Sequence, residues 1–559
     1  MVKLEIQERD GFLIMKDFPK NCIFNKVKTG CGATTIALTN DENYIIAVPT
    51  TELVINKCYP PKDKNGKDIT WKRSQIQAGV SPTNDRLFGL YGSFNKTVQA
   101  KLRKFLDKDG VKKIICTYDK VDKLIPVINP LEFKILVDEY HNLLKQYGFR
   151  TIVINQIIEN FKCFKSHCFL TATPIPELFK PKVFAEMTEY VADWKTVDKI
   201  TVYPYPCKSA SSTAAKIIRH YKDNGYFVLD GIKSEEAYFF VNSVREIKEI
   251  LEEARLTNDD CRIICADDET NHYKLEGFEI SSSTAPAKRF TFITCKAFEG
   301  VDYYSETAIC FIVSNGYNKH TLISIDMDIP QIAGRIRTKS NPFRNKIVHI
   351  FNPKVMNYYL PFAEMKQKIA KELTAAEERI QVLNESKLGE VARKQQDDEL
   401  KKLGADTYII KKGDRYEVND MVAQLKLYQY WTTRIVYRSA EALQEGYRQL
   451  GMAIVQTYEW DIADENIIKG ILTTPQFRDR LKRFCDLKEK SALTDNEWQE
   501  LESLMKRDPI LEQGYQQLGL SQLRRTRTKK AIKAFLFFLP QHIQMFFHRF
   551  QSALILRNI

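Results

Sequence analysis

Two adjacent carboxylates, Asp138 and Glu139, close an apolar run at residues 133–137. A buried strand that ends this way delivers both groups to the C-terminal edge of a sheet, where open α/β folds bind nucleotides. There Asp138 can hold a magnesium ion through water, and Glu139 can orient or deprotonate an attacking water. His141, two residues beyond Glu139, could report the state of the nucleotide to neighbouring segments. Upstream, Cys22-Ile23-Phe24 reads as a short strand. It feeds Asn25-Lys26-Val27-Lys28-Thr29-Gly30-Cys31-Gly32-Ala33-Thr34-Thr35 and then the helical Ile36-Ala37-Leu38. Strand, glycine turn and helix point backbone N–H groups at phosphate, so residues 28–35 are the expected phosphate contact. Such a loop ordinarily ends Gly-Lys-Ser/Thr, with the Lys on the β- and γ-phosphates and the hydroxyl on magnesium. Ala33 stands at the Lys position, while Thr34 retains the hydroxyl. Lys28 or Lys26 could supply the missing charge from the strand side of the loop.

The elements that must position these groups follow in order. Tyr44-Ile45-Ile46-Ala47-Val48 reads as a strand emptying into Pro49-Thr50-Thr51, whose small hydroxyl residues suit a sugar-phosphate backbone or a helix cap. Residues 60–93 are polar and turn-rich and read as a surface excursion. Lys113-Ile114-Ile115-Cys116 and Cys168-Phe169-Leu170 are further strands, the second delivering Thr171-Ala172-Thr173-Pro174. Short strands separated by helical stretches predict a parallel sheet wound with helices. In this order, Gly30-x-Gly32-x-Thr34, Val48-Pro49-Thr50, Asp138-Glu139-Tyr140-His141 and Thr171-Ala172-Thr173 resemble motifs I, Ia, II and III of superfamily 2 DExH-box helicases.

The second half carries the same resemblance. The Ser-rich residues 209–213 read as an inter-domain linker, residues 225–230 as the first of a second set of strands, and residues 234–254 as a helix. Arg289-Phe290-Thr291-Phe292-Ile293-Thr294 reads as a strand opening into Cys295-Lys296-Ala297-Phe298-Glu299-Gly300-Val301-Asp302, which resembles motif V. Gln331-Ile332-Ala333-Gly334-Arg335-Ile336-Arg337 resembles motif VI. The resemblance implies Pro49, Thr50 and Thr294 on the nucleic-acid backbone and Gly300 and Asp302 near the nucleotide. It further implies Gln331, Arg335 and Arg337 acting with Asp138 and Glu139 in catalysis, and His141, Thr171 and Thr173 coupling the two ligands. Arginine suits that place because its planar, permanently charged fork stabilises charge spread over phosphate oxygens; Arg337 is the expected finger.

The implied fold is α/β: two tandem RecA-like P-loop NTPase domains with parallel sheets, at residues 1–207 (motifs I, Ia, II and III) and 208–355 (motifs IV, V and VI). A mainly α-helical C-terminal domain with a basic tail follows at 356–559. ATP and Mg2+ are the implied cofactors, and nucleic acid the implied partner. DNA, with replication proteins of a viral or mobile-element system, is the specific expectation, and the herpesvirus origin-binding helicases are the type it looks closest to. A non-hydrolysing binder that keeps the motor fold is the alternative.

Composition sets the outer limits. A chain of 559 residues is too long for one core. Its apolar fraction of 44% and charged fraction of 28% are those of a globular protein and exclude disordered and collagen-like classes. The net charge of +13 favours a polyanionic partner, and residues 520–559 hold eight Arg or Lys and no Asp or Glu. Twelve cysteines lie scattered without a Cys-x-x-Cys pair, which predicts buried thiols in a reducing compartment. Residues 1–20 lack the apolar core of a secretory signal, and residues 531–556 are interrupted by Pro540 and charges. The expected location is therefore the cytoplasm, a host's if the protein is viral, with no membrane partner.

Past residue 355, residues 363–403 read as long solvated helices broken near Gly389, and residues 407–418 as a β-hairpin. The tail, Arg524-Arg525-Thr526-Arg527-Thr528-Lys529-Lys530 followed by Phe535, Phe537, Phe538, Phe546, Phe547 and Phe550, has two readings. The basic run can face nucleic acid, and the phenylalanines can pack a core.

Overall fold

The computed structural model describes residues 1–60, 69, 71–353, 360–385, 390–403, 407–457, 477–490, 492–526, 528–529 and 531–533. Residues 1–461 form one compact unit and 462–559 another.

The first unit is built on two sheets. The first has nine strands in the order Val2–Glu5, Thr188–Asp193, Cys22–Asn25, Ser166–Thr171, Lys134–Asp138, Tyr44–Val48, Lys113–Thr117, Asn84–Leu90 and Gly79–Ser81. All neighbours are parallel except the last pair. Such a sheet must be covered on both faces, which is why its central strands are apolar without alternation. Ile23, Ile45, Ala47, Ile135 and Val137 enter one core, while Phe24, Tyr44, Ile46, Val48 and Leu136 enter the core on the opposite face. Register places Asp138 beside Leu170 and Thr171 beside Asn25, so three chemical segments leave the sheet at neighbouring strand ends.

The second sheet is wholly parallel, in the order Cys261–Ile264, Phe290–Ile293, Ala237–Phe240, Ile309–Asn315, Lys346–Asn352, Thr201–Pro206 and Ala453–Ile454. Phe239 stacks between Phe292 and Phe311, with ring centroids 5.3 and 4.9 Å away. The expected fold class, two parallel α/β sheets followed by mainly helical chain, is the one observed.

Several local expectations are corrected. Strand Asn84–Leu90 lies within the supposed surface excursion, because Leu87, Phe88 and Leu90 are buried against the sheet. Residues 209–213 are no linker: Ser209 caps the helix Ala210–Asn224, accepting a bond from Ser212 N. The second sheet begins instead at Thr201, ahead of the expected boundary at 207. Phe227–Leu229 pairs only with Ile232–Ser234 in an antiparallel hairpin. Ala237–Phe240, read as part of a helix, is a fully buried central strand, and the helix runs only over Val244–Glu253.

The later chain serves both cores. Helices Phe362–Glu385 and Glu390–Leu403 and the hairpin of Ile409–Lys412 with Arg415–Val418 appear where expected. Helix Asp420–Tyr430 gives Met421, Val422 and Leu425 to the first core, while Tyr437, Leu443 and Tyr447 enter the core of the second sheet. In the other unit, helices Phe477–Lys488, Asp495–Arg507 and Ile510–Thr526 pack around Phe484, Leu511 and Leu523. Two cations of the basic run are occupied there: Arg524 binds Asp486 and Glu489, and Lys529 binds Asp508. The six tail phenylalanines lie outside the described residues. All twelve cysteines are unbridged, no metal-binding cluster of His, Cys, Asp or Glu occurs among the described residues, and no described helix is long and apolar enough to cross a membrane.

Losing the Ser209 cap should be felt as a helix end rather than as a loop change. Ser209→Ala should lower stability by about 1 kcal/mol and Ser209→Gly by only a few tenths, read as shifts in the denaturant midpoint.

Candidate nucleotide cleft

The chain leaves strand Cys22–Asn25 through a tight three-residue turn. Val27 adopts φ 61°, strained for a β-branched residue, and Lys28 N donates to Lys26 O at 2.6 Å. The turn is fixed from several sides: Lys26 N donates to Thr171 O at 2.8 Å, Trp194 Nε1 to Lys26 O at 2.8 Å, and Val27 N to Asn25 Oδ1 at 2.9 Å. Its effect is to send the two lysines apart. Lys26, 6% exposed, puts Nζ 2.7 Å from Glu139 Oε1 and 3.6 Å from Asp138 Oδ1. Lys28 lies over the Trp194 ring, 4.2 Å from its centroid, and 3.7 Å from Glu8. Gly30 and Gly32 hold φ 68° and 76°, and Gly32 leads directly into helix Ala33–Thr39. Ala33 is 3% exposed and belongs to the apolar core, as does Cys31, whereas Thr35 faces outward.

The carboxylates are enclosed and fully bonded. Thr34 Oγ1 donates to Asp138 Oδ2 at 2.7 Å, and Glu139 N donates to Asp138 Oδ1 at 3.0 Å. Glu139, at φ 52°, accepts on Oε2 from Thr171 Oγ1 at 2.9 Å and from Gln331 Nε2 at 3.0 Å. Burial disfavours the Asp138 carboxylate and moves its pKa up, with Lys26 opposing. Burial also disfavours the Lys26 ammonium, but Glu139 and Asp138 outweigh it and hold the pKa of Lys26 above its ordinary value.

The second sheet closes the cleft. Gln331, on helix Asp328–Ala333, also donates to Thr173 Oγ1 at 3.2 Å and accepts from Arg335 Nη2 at 3.1 Å, so one amide bridges Arg335 and Glu139. Arg335 is buried, and desolvation, with Arg337 beside it, lowers its pKa. Arg337 donates from Nε to Asp302 Oδ1 at 2.7 Å. Burial opposes the Asp302 carboxylate, yet Arg337 and Arg335 hold it below its ordinary range. A methyl group on Gly30 would collide with the Arg337 guanidinium, and one on Gly334 with the Thr29 hydroxyl. The motif VI segment therefore packs directly on the glycine loop.

Of the expected residues, Asp138, Glu139, Thr34, Thr171, Thr173, His141, Gln331, Arg335, Arg337 and Asp302 come together in or beside this cleft. Gly300 lies at its rim, pressed on Leu53, and its carbonyl accepts from Asn56 Nδ2 at 2.8 Å. Thr50 caps helix Thr51–Cys58, Pro49 O accepts from Arg150 at 2.8 Å, and Thr294 donates its hydroxyl to Ile264 O at 3.3 Å. Those three lie at strand ends rather than in the cleft.

Motif reading missed six participants. Glu299 is buried with Oε1 2.8 Å from His141 Nε2 and Oε2 2.5 Å from Asn142 Nδ2, and Asp328 pairs with Lys145. His141 Nδ1 also lies 2.8 Å from Thr171 Oγ1, so a chain of contacts runs from Glu139 to Glu299. Phe12, 54% exposed, stands against Gly32 at a cleft of about 840 Å³ lined also by Thr35 and Ile36. Lys57 is half-buried; desolvation lowers its pKa, with Asp302 and Asp138 partly offsetting. Phe12 lies 18 residues before Gly30, and nothing in the sequence marks it; its exposure and its place against Gly32 are set by the fold.

Glu299 gives the cleft an acid-sensitive contact. Burial opposes its carboxylate, but His141 and then Lys145 hold its pKa at about 2, below the ordinary 4.5. A depressed folded pKa contributes stability that is complete above the ordinary value and lost as pH falls from there toward about 2. Glu299→Gln should therefore flatten the decline of the guanidinium midpoint between about pH 5 and pH 3 relative to the unsubstituted chain.

No family model matches the chain, and no curated protein does. Similar solved structures include a variant of S. cerevisiae Dbp5 bound to RNA and ADP BeF3, at 14% identity and a TM-score of 0.36 over 60% of this chain and 79% of that one. A Dbp5 variant bound to Gle1 and IP6 gives 15%, 0.35, 60% and 79%. A DEAD box protein from the hyperthermophile Methanococcus jannaschii gives 15%, 0.26, 60% and 83%. Likeness at this level carries no weight for the site, whose reading rests on its own geometry.

Proposed function

We propose that the chain is a nucleic-acid-dependent ATP hydrolase, a helicase or translocase of superfamily 2 type. The observation that carries this reading is the convergence of Thr34, Asp138 and Glu139 from one sheet with Gln331, Arg335 and Arg337 from the other. Oxygen donors on Asp138 and Thr34, 2.7 Å apart, fit a hard divalent cation shared with phosphate oxygens. They would hold magnesium, whose charge when bound offsets that of the phosphates.

Glu139 would take the proton of the attacking water as the bond between the γ-phosphorus and the bridging oxygen breaks, yielding ADP and phosphate. Arg337, resting on the glycine loop, would meet charge on the transferring group, and Gln331 would tie that event to Glu139. The Phe12 cleft is the place for the base. Pro49, Thr50 and Thr294 are proposed as strand-tracking positions on the two halves, which opening and closing of the cleft would move relative to each other. The positive balance of the chain favours a polyanion, and DNA in replication or recombination of a viral or mobile element is the specific proposal.

A non-hydrolysing binder is favoured by one observation, Ala33 at the usual Lys position. Steady-state phosphate release with magnesium and single-stranded DNA or RNA separates the two. Glu139→Gln should reduce nucleic-acid-stimulated release by about 10²–10⁴-fold while keeping ATP affinity, and Arg337→Ala by about 10³-fold. Equal release from Glu139→Gln and the unsubstituted chain would sink the hydrolase reading.

A further inference from the structure

We infer that Lys26, four residues before the loop's first glycine, Gly30, and outside the usual position, is the lysine that grips the β- and γ-phosphates. The inference rests on the nucleotide-cleft reading above and deepens it. The usual position is closed to this task, since Ala33 has no charge and is packed into apolar core. Of the two lysines on the strand side, Lys28 is turned onto Trp194 and Glu8. Lys26 alone of the pair points into the cleft, with its ammonium on Glu139 and beside Asp138. Asp138 in turn is bonded to Thr34, so Lys26 lies next to the groups that would hold the metal and the water.

Its backbone is fixed on both sides. The carbonyl is held by Trp194 and the N–H by Thr171 O, so the charge is presented with little freedom to lose. The strained turn at Val27 is what separates the two side chains. Lys57, on helix Thr51–Cys58, is a further lysine near Asp138, and it forms no ion pair among the described residues.

The same contact has a consequence for timing. While Lys26 holds Oε1 of Glu139 at 2.7 Å, and Thr171 and Gln331 hold Oε2, both oxygens of that carboxylate are engaged by protein donors rather than by water. A triphosphate offers the ammonium a more highly charged partner, and transfer of Lys26 to it releases Glu139 toward water. Phosphate binding and arming of the base become one event.

The test must separate a phosphate grip from a mere counter-ion to Glu139, because Lys26→Met alone strands a buried carboxylate and can unfold the chain. Lys26→Met combined with Glu139→Gln removes both charges together. Equilibrium binding of ATP and of AMP to the unsubstituted full chain, Glu139→Gln, and the double variant, with magnesium and without nucleic acid, decides the matter. The expected result is ATP affinity about 10- to 100-fold weaker in the double variant than in Glu139→Gln, with AMP affinity equal. Equal ATP affinity in those two proteins overturns the inference, as does a larger loss from Lys28→Met or Lys57→Met in the Glu139→Gln background. If the chain binds ATP through Lys26 but never hydrolyses it, the grip stands and the hydrolase reading falls. If it hydrolyses ATP and the double variant binds normally, the reverse holds; no ATP binding at all removes both.

Discussion

Two carboxylates side by side in a closed cleft repel each other and have lost their water, so the surrounding structure must supply compensation. Asp138 and Glu139 are in that position, and the architecture of the cleft follows from meeting it. Breaking one partner out of a buried charged group is far costlier than breaking a surface pair. Accordingly every oxygen has a partner: Lys26 and Thr171 from neighbouring strand ends, Thr34 from the glycine loop, Gln331 from the other sheet. The backbone strain at Val27 and at Glu139, both at positive φ, falls on the two residues that aim these groups.

Because Gln331 comes from helix Asp328–Ala333 of the second half, the compensation is complete only while the halves are closed. The same holds for Glu299 on His141 and Asn142, for Asp328 on Lys145, and for Arg337 on Gly30. Farther along the interface Glu52 receives Lys296 at 3.2 Å and Ser283 at 2.9 Å. The contacts between the halves around this carboxylate pair are therefore largely hydrogen bonds and ion pairs. Helices after residue 355 bind both cores through Met421, Leu425, Tyr437 and Tyr447, so the later chain is part of how the halves are held.

Much of the site was legible because its signals are local. A parallel strand buried on both faces must be continuously apolar, and a carboxylate pair at its end is conspicuous for that reason; the glycine loop stood out as a turn between strand and helix, and the Gln331, Arg335, Arg337 cluster through its resemblance to a helicase motif. Local signals failed where a neighbour distant in sequence supplies the burial. Asn84–Leu90 sits in polar, turn-rich chain and becomes a strand by pairing with Lys113–Thr117. Ala237–Phe240 follows a Ser and two Glu that suit a helix start, yet its aromatics complete a stack between two other strands. Ser209–Thr213 has linker composition, but a Ser is equally the preferred helix cap.

What the amino-acid order alone determined was a set of candidate residues and the strand ends that carry many of them, since residue type and hydrophobic period are properties of short segments. It also placed Ala33 where a phosphate-binding loop would carry its Lys, and it put Lys28 but not Lys26 among the expected phosphate contacts, while allowing either to supply the missing charge. Only the tertiary structure separated them: Trp194 and Thr171, brought to the turn from distant parts of the chain, join the adjacent Asn25 in imposing the backbone that turns Lys26 inward and Lys28 away. Direction in space is set by contacts between distant segments, and spacing along the chain does not contain it.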